Sequence, residues 1–235
     1  MQLVDSNPAP VRQAQPRHRP HRLACQGAMT DLFDIAPEQN SAAASQGIVM
    51  EPVPDMRPHR NCYWVVPGVL MAGEYPGADN DVTARARLAM IAAVGVRHFV
   101  DLTEPHELDP YHLHLPVLSR GLDRPVAHER WSIRDVDVPQ STAHANHILD
   151  RMDALIAVKA VPYVHCWGGV GRTGTIIGCW LVRHGKSGEE ALAAIAGHWN
   201  TMAKRTRHPR SPETDAQRHY VLEWARHDRV RLGRT

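Results

Sequence analysis

Apolar and polar positions follow recognisable periods after about residue 60 and none before it. YWVVPGVLM at 63–71 reads as two short strands, YWVV and VLM, reversed at Pro67-Gly68 and followed by a tight Gly-Pro loop. Val82, Leu88, Met90, Ile91 and Val94 then fall mostly at helical spacing from Asp81 to Val94, and Gly95 supplies a stop. VRHFVDL at 96–102 predicts a strand, 104–127 reads as loop because of Pro105, Pro110, Pro116 and Pro125, and ERWSI at 129–133 reads as another strand. Ile148, Leu149, Met152, Leu155 and Ile156 mark an amphipathic helix from Ser141 to about Val158. PYVHC at 162–166 predicts a strand and TGTIIGCWLVRH a helix from Thr173 to His184, ended by Gly185. Ser187 and Glu190 spell a capping box for a helix reaching Asn200, and Ser211-Pro212 reads as the N-cap and first residue of the last helix. Helices feeding strands in this order predict an α/β fold: a central mixed, largely parallel sheet flanked by helices.

Residues 1–58 carry no such period; they are rich in Pro, Gln, Ala, Ser and Arg, as in QNSAAASQG at 39–47. So little apolar surface does not offset the entropy of ordering, which predicts a disordered tail followed by one folded domain over 59–235. Balanced charge, 27 Lys+Arg against 25 Asp+Glu, gives no general attraction to nucleic acid. The four cysteines, Cys25, Cys62, Cys166 and Cys179, lack the paired spacing of a zinc ribbon, and the histidines lack an HExxH pattern, so neither a metal nor another cofactor is expected. The N-terminus has no apolar signal core and no stretch approaches the ~20 apolar residues of a membrane span, which points to a reducing cytoplasm.

Chemistry concentrates in VPYVHCWGGVGRTGTIIGCWLV. An apolar strand delivers His165 and Cys166 into a loop containing Gly168, Gly169 and Gly171, and Arg172-Thr173 leads into a helix. Glycines let successive backbone N–H groups turn inward, the helix N-terminus adds positive potential, and an arginine fork grips two phosphate oxygens. The same field favours a thiolate at the loop's first position. The P-loop pattern GxxxxGK[ST] is absent, since Arg172 stands where its lysine belongs.

His165-Cys166-Trp167-Gly168-Gly169-Val170-Gly171-Arg172-Thr173 resembles the HCx5R[ST] signature loop of the cysteine-dependent protein tyrosine and dual-specificity phosphatases. The resemblance covers about residues 61–227 and is nearest to compact bacterial members of the dual-specificity-like branch, with GEYPG at 73–77, RDVDVP at 134–139 and SPETDAQ at 211–217. It implies Cys166 as nucleophile, phosphate bound by Trp167, Gly168, Gly169, Val170, Gly171 and Arg172, and Asp135 as acid on a movable loop. It also implies Thr173 as hydrogen-bond donor to the departing thiolate and Gln217 as water-positioning group. Trp131-Ser132 departs from the Phe-Pro of close relatives, which bears on the stiffness of that loop.

The residues leave alternatives beside these roles. Asp137 competes with Asp135, because alternation puts both on one side of an extended segment. Thr173 is equally a helix cap, Gln217 an exposed helix residue, and Trp167 a packing group. His165 and Cys166 are strand neighbours pointing to opposite faces, so His165 reads as a tuning group hydrogen-bonded to backbone. Lys204, Arg205, Arg207, His208 and Arg210 form either a solvated charge run or an edge of the site, and the second case makes inositol phosphates credible substrates. The leading expectation is a phosphomonoester hydrolase acting on protein phosphotyrosine, with phosphoserine and phosphothreonine as further substrates, through a cysteinyl-phosphate. An inositol-phosphate or phosphoinositide phosphatase, a phospho-binding pseudophosphatase and a sulfurtransferase are the rivals.

Overall fold

The computed structural model describes residues 57–228, 230 and 233. The expectation of a disordered tail falls, for residues 1–56, outside the described residues. At 57, where the tail was still expected, Arg57 is tied down: its guanidinium donates to Thr201 Oγ1 at 2.9 Å and to the Thr201 carbonyl at 3.2 Å.

The elements in chain order are β1 (Cys62–Val66), β2 (Leu70–Gly73), α1 (Asp81–Ala93), β3 (Val96–Asp101), a 3-10 turn (Tyr111–His114), α2 (Leu115–Ser119), β4 (Ala127–Arg130), α3 (Thr142–Ala157), β5 (Val161–His165), α4 (Gly171–Arg183), α5 (Gly188–Trp199) and α6 (Asp215–Glu223). The sheet order is β1-β2-β5-β3-β4; β1 and β2 are antiparallel, and the remaining pairs are parallel. Alternation along the strands divides the core in two. Met71, Phe99 and Tyr163 face α1 and α2 with Leu88 and Ile91. Ala72, Val100 and Val164 face the other helices with Ile148, Ile177, Ile195 and Trp199. α4 lies in the middle of that second layer and is buried along its whole length, which is why TIIGCWLV carries no polar stripe.

Local signals hold at most helix ends. Asn80 and Ser141 cap α1 and α3, and Ser187 with Glu190 forms the capping box of α5. Gly95 and Gly185 follow α1 and α4 with φ of 99° and 107°, a region where a side chain is strained.

Three expectations are corrected. The proline-rich stretch 104–127 contains the 3-10 turn and α2, because Tyr111 and Leu115 are buried against the α1 side of the sheet and Pro116 sits in the first turn, where it forfeits no helical bond. Ser211-Pro212 does not open the last helix: the Ser211 hydroxyl donates to the Val170 carbonyl at 2.7 Å, so it is committed to the signature loop. Thr214 is the N-cap instead, with Gln217 completing the box. The fourth strand also ends earlier than ERWSI implies, at Arg130, since the chain then turns over the strand ends.

Arg183 at the end of α4 is buried and donates to Asp228 Oδ1 and Asp150 Oδ1, both at 2.9 Å, and to Asn146 Oδ1 at 2.8 Å. It joins α3, α4 and the chain after α6. Removing one member of a buried ionic cluster strands the others, so Arg183→Ala is expected to cost about 3–5 kcal/mol. Denaturant unfolding of the full chain measures it as a lowered midpoint at unchanged slope.

Candidate active site

The parallel strands end together, and the loops leaving their C-terminal ends converge, the usual place for a site in such a sheet. β5 delivers Cys166, β3 leads to Glu107, the chain after β4 brings Asp135, and β2 runs into Glu74. Cys166, Arg172, Asp135, Lys204, Arg207 and His208 line one cleft of about 330 Å³.

The signature loop folds where only glycine is accommodated. Gly169 has φ 73°, and a Cβ there would stand 2.6 Å from the Gly73 carbonyl oxygen. A Cβ on Gly171 would stand 2.8 Å from Gln217 Nε2. Trp167 contributes its carbonyl to the Tyr75 N–H at 2.9 Å, while its indole remains 57% exposed at the rim. Trp167 and Lys204 divide the cleft from a smaller polar cavity of about 190 Å³ lined also by Glu74, Arg87 and Asp109.

Arg172 is buried and held from three directions. Its Nη1 and Nη2 donate to Glu107 Oε2 and Oε1 at 2.8 and 2.6 Å, Nη1 donates to the Ile133 carbonyl at 3.1 Å, and Nη2 lies 2.8 Å from Asp135 Oδ1. Burial disfavours the charged guanidinium, yet the Glu107 carboxylate, Cys166 and Asp135 together outweigh it and hold the proton more tightly than in free arginine. The same pairing overcomes burial at Glu107 and keeps its carboxyl below the ordinary range. Among the buried polar atoms of the described residues that keep no hydrogen-bond partner are Arg172 Nε and Thr173 Oγ1. Such atoms in a native interior call for a partner; Arg172 lines the cleft and Thr173 follows it in the first turn of α4.

Behind the loop, His165 is fully buried. Tyr111 Oη lies 2.7 Å from Nε2, while Nδ1 faces the Cys166 carbonyl at 3.3 Å and Asp101 Oδ1 at 3.9 Å. Two acceptors beside Nδ1 select the tautomer protonated there, with Tyr111 donating to Nε2. Burial, partly offset by Asp101, lowers the His165 pKa to about 4, so the ring is neutral near pH 7. Asp101 is balanced by Arg130, which donates from Nη2 at 3.0 Å, and by His128 at 3.0 Å. It also accepts from the Thr103 hydroxyl at 2.6 Å.

The sequence-derived residues mostly meet. Cys166, Arg172 and Asp135 share the cleft, and Thr173 follows at the start of α4. Asp137 lies outside it, with its carboxylate accepting from the Val138 N–H at 2.8 Å. Between them Val136 has φ 54°, strained for a β-branched residue. Gln217 is not an exposed helix residue but fully buried. Three of the five residues in the basic stretch, Lys204, Arg207 and His208, face the cleft. Cys62 stands two strands away from His165 through the Cys62–Gly73 and Gly73–His165 pairs, about 10 Å at ordinary strand spacing, and Cys62, Cys166 and Cys179 are free thiols. Glu107, Asp101 and Tyr111 were missed. The sequence signal for Asp101 and Glu107 is DLTEPHE, a polar segment that opens on the last residue of β3; Tyr111 lies beyond it, and Glu107 reaches Arg172 across a separation of 65 residues.

A strand ending in His-Cys, a glycine loop wrapped below an arginine and a buried helix behind it define a phosphatase-type phosphate loop. The family model described as "PTP-SAK: Swiss Army Knife protein, DSP-PTPase phosphatase domain" matches residues 59–221, and the chain belongs to this family of the dual-specificity phosphatase superfamily. Among curated proteins it is similar to the Phosphatidylinositol 3,4,5-trisphosphate 3-phosphatase and protein-tyrosine-phosphatase PTEN1 of Arabidopsis thaliana, 37% identical over 67 residues. That match spans 28% of this chain and 15% of the relative. Similar solved structures include Tk-PTP in its active form, with TM-score 0.53 and 23% identity, covering 71% of this chain and 97% of that one. PTPMT1 in complex with PI(5)P has TM-score 0.55 and 18% identity, covering 74% and 99%. TpbA of P. aeruginosa in complex with pTyr has TM-score 0.53 and 18% identity, covering 75% and 91%. These structural likenesses concern the fold.

Glu107→Gln removes the counter-charge but keeps an acceptor beside Arg172. Hydrogen bonds to charged groups contribute about 1.5–3 kcal/mol, so affinity for the phosphate mimic vanadate is expected to fall about 10–100-fold. The Glu107 carboxyl titrates below its ordinary value, so the clamp is complete above that value and is lost as pH falls through the lowered one. Calorimetric titration of the variant and of wild type across the acidic range checks both statements.

Proposed function

We propose that the chain is a cysteine-dependent phosphomonoester hydrolase that removes phosphate from protein phosphotyrosine, and from phosphoserine and phosphothreonine, in the cytoplasm. The observation that carries this reading is that Cys166, Arg172 and Asp135 share one cleft, with the Arg172 Nε buried and without a partner there. A phosphoryl oxygen satisfies that donor.

In this mechanism the Cys166 sulfur attacks phosphorus in line, the P–O bond to the substrate breaks, and Asp135 gives its proton to the departing oxygen. Arg172 and the loop N–H groups hold the three phosphoryl oxygens. Water then attacks phosphorus, Asp135 takes its proton, the S–P bond breaks, and Thr173 donates to the leaving thiolate. His165, neutral and turned away from the cleft, positions the Cys166 backbone rather than moving a proton.

Lys204 and Arg207 favour a second reading, an inositol-phosphate or phosphoinositide phosphatase, because they place cationic groups in the cleft, beside the His208 imidazole, beyond those one phosphate uses. The curated relative is itself named for both a phosphoinositide and a protein-tyrosine activity.

Turnover by EDTA-treated protein of an aryl phosphate, phosphopeptides and inositol phosphates, for wild type, Cys166→Ser and Asp135→Asn, tests these readings. Cys166→Ser is expected to abolish turnover and Asp135→Asn to lower it about 10²–10⁴-fold for alkyl leaving groups and far less for activated aryl ones. Activity surviving Cys166→Ser, or lost with EDTA, overturns the mechanism. Salt-sensitive turnover of inositol phosphates above that of phosphopeptides selects the second substrate class.

A further inference from the structure

Gln217 lies at the junction of three segments. Its Oε1 accepts from the Glu213 and Thr214 N–H groups, both at 3.1 Å, and its Nε2 donates to the Asp137 carbonyl at 3.0 Å. The amide orientation is unambiguous, since two backbone donors face one end and a carbonyl faces the other. The same side chain packs on Gly171 so closely that a Cβ there would collide with it. The preceding residues bind the signature loop independently, through the Ser211 hydroxyl and the Val170 carbonyl.

The turn it grips is strained. Val136 holds φ 54° between Asp135 and Asp137, and such a conformation persists only where surrounding contacts over-determine it. On the N-terminal side of the turn those contacts are the Asp135–Arg172 pair, the Ile133 carbonyl on Arg172 and the Asp135 N–H on the Glu104 carboxylate, and the Asp137 N–H closes the turn on the Arg134 carbonyl. On its C-terminal side Gln140 donates to the Ser132 carbonyl and Gln217 to the Asp137 carbonyl. The buried amide therefore joins the segment carrying Asp135 to the loop carrying Cys166 and Arg172.

We infer that Gln217 is a positioning residue for Asp135: through the Asp137 carbonyl it holds the acid at a fixed place over the phosphate loop. This rests on the proposed cysteinyl-phosphate mechanism and assigns Gln217 to the first chemical step, transfer of the leaving-group proton. The water-positioning role implied by the family resemblance belongs to the second step, hydrolysis of the intermediate.

The two steps are separable. In Gln217→Glu the side-chain length and a capping acceptor remain, and the ionised carboxylate lacks the amide's donor to the Asp137 carbonyl, so the kinetics are read at a pH high enough to keep this buried carboxyl ionised. The kcat/KM of a phosphomonoester reports chemistry up to formation of the cysteinyl-phosphate, and a burst of aryl alcohol reports slow hydrolysis afterwards. A misplaced catalytic group costs up to about 100-fold, so kcat/KM for an alkyl phosphate is expected to fall about 10–100-fold in Gln217→Glu. For p-nitrophenyl phosphate it should change by less than about threefold, since a good leaving group needs little acid, and no burst should appear.

The double variant Asp135→Asn/Gln217→Glu should be no slower toward alkyl phosphates than Asp135→Asn alone, because Gln217 acts through Asp135. Multiplicative losses in the double variant, a burst with unchanged leaving-group dependence, or equal losses across all leaving groups overturn the inference. If Gln217→Glu does not fold, as judged by circular dichroism, the same series is run on Gln217→Met, which keeps the packing volume and removes the donor. Wild-type turnover that survives Cys166→Ser is the separate failure of the underlying mechanism, and it leaves a distinct signature.

Discussion

A buried guanidinium imposes the strongest constraint on this molecule. Arg172 is almost wholly removed from water, and a charge so placed is tolerated only when paired and hydrogen-bonded. Glu107 supplies the counter-charge, the Ile133 carbonyl a further acceptor and Asp135 a second carboxylate. These partners come from the chain after β3 and the chain after β4, so neutralising one side chain fixes two loops over the glycine loop. The unpartnered Nε of Arg172 is polar capacity left over at the cleft.

The rest of the site is a set of braces around that arrangement. The 211–217 segment attaches to the signature loop at Val170 and Gly171 and to the acid segment at Asp137. On the opposite side, the 73–75 segment touches the loop at Gly169 and Trp167. Beneath, Asp101 offsets its own charge with Arg130, hydrogen-bonds His128 and sets the tautomer of His165, whose ring lies against the Cys166 carbonyl. Apart from the His165–Cys166 contact, none of these is local in sequence.

Much of this was legible beforehand, for reasons that differ by element. Helix ends are short-range: Asn80, Ser141 and Ser187 cap because a side chain reaches its own backbone within three residues. The signature loop is equally local, because strand, glycines, arginine and helix follow one another without interruption. Ser211-Pro212 misled because the same serine that caps helices also serves any other nearby acceptor, and here the nearer one is Val170. The stretch 104–127 misled because its prolines mask two buried anchors, Tyr111 and Leu115, whose value depends on the sheet they cover.

The amino-acid order by itself determined the α/β class, the strand–loop–helix around Cys166 and the family to which the chain belongs, since all three rest on residues adjacent along the chain. Only the tertiary structure decided that Asp135 rather than Asp137 meets Arg172, that Glu107 holds that arginine, that Gln217 is interior and that Lys204, Arg207 and His208 face the cleft. These depend on loops that converge from separate strands, where sequence spacing carries no distance and burial and charge compensation select which carboxylate, amide and cation come together.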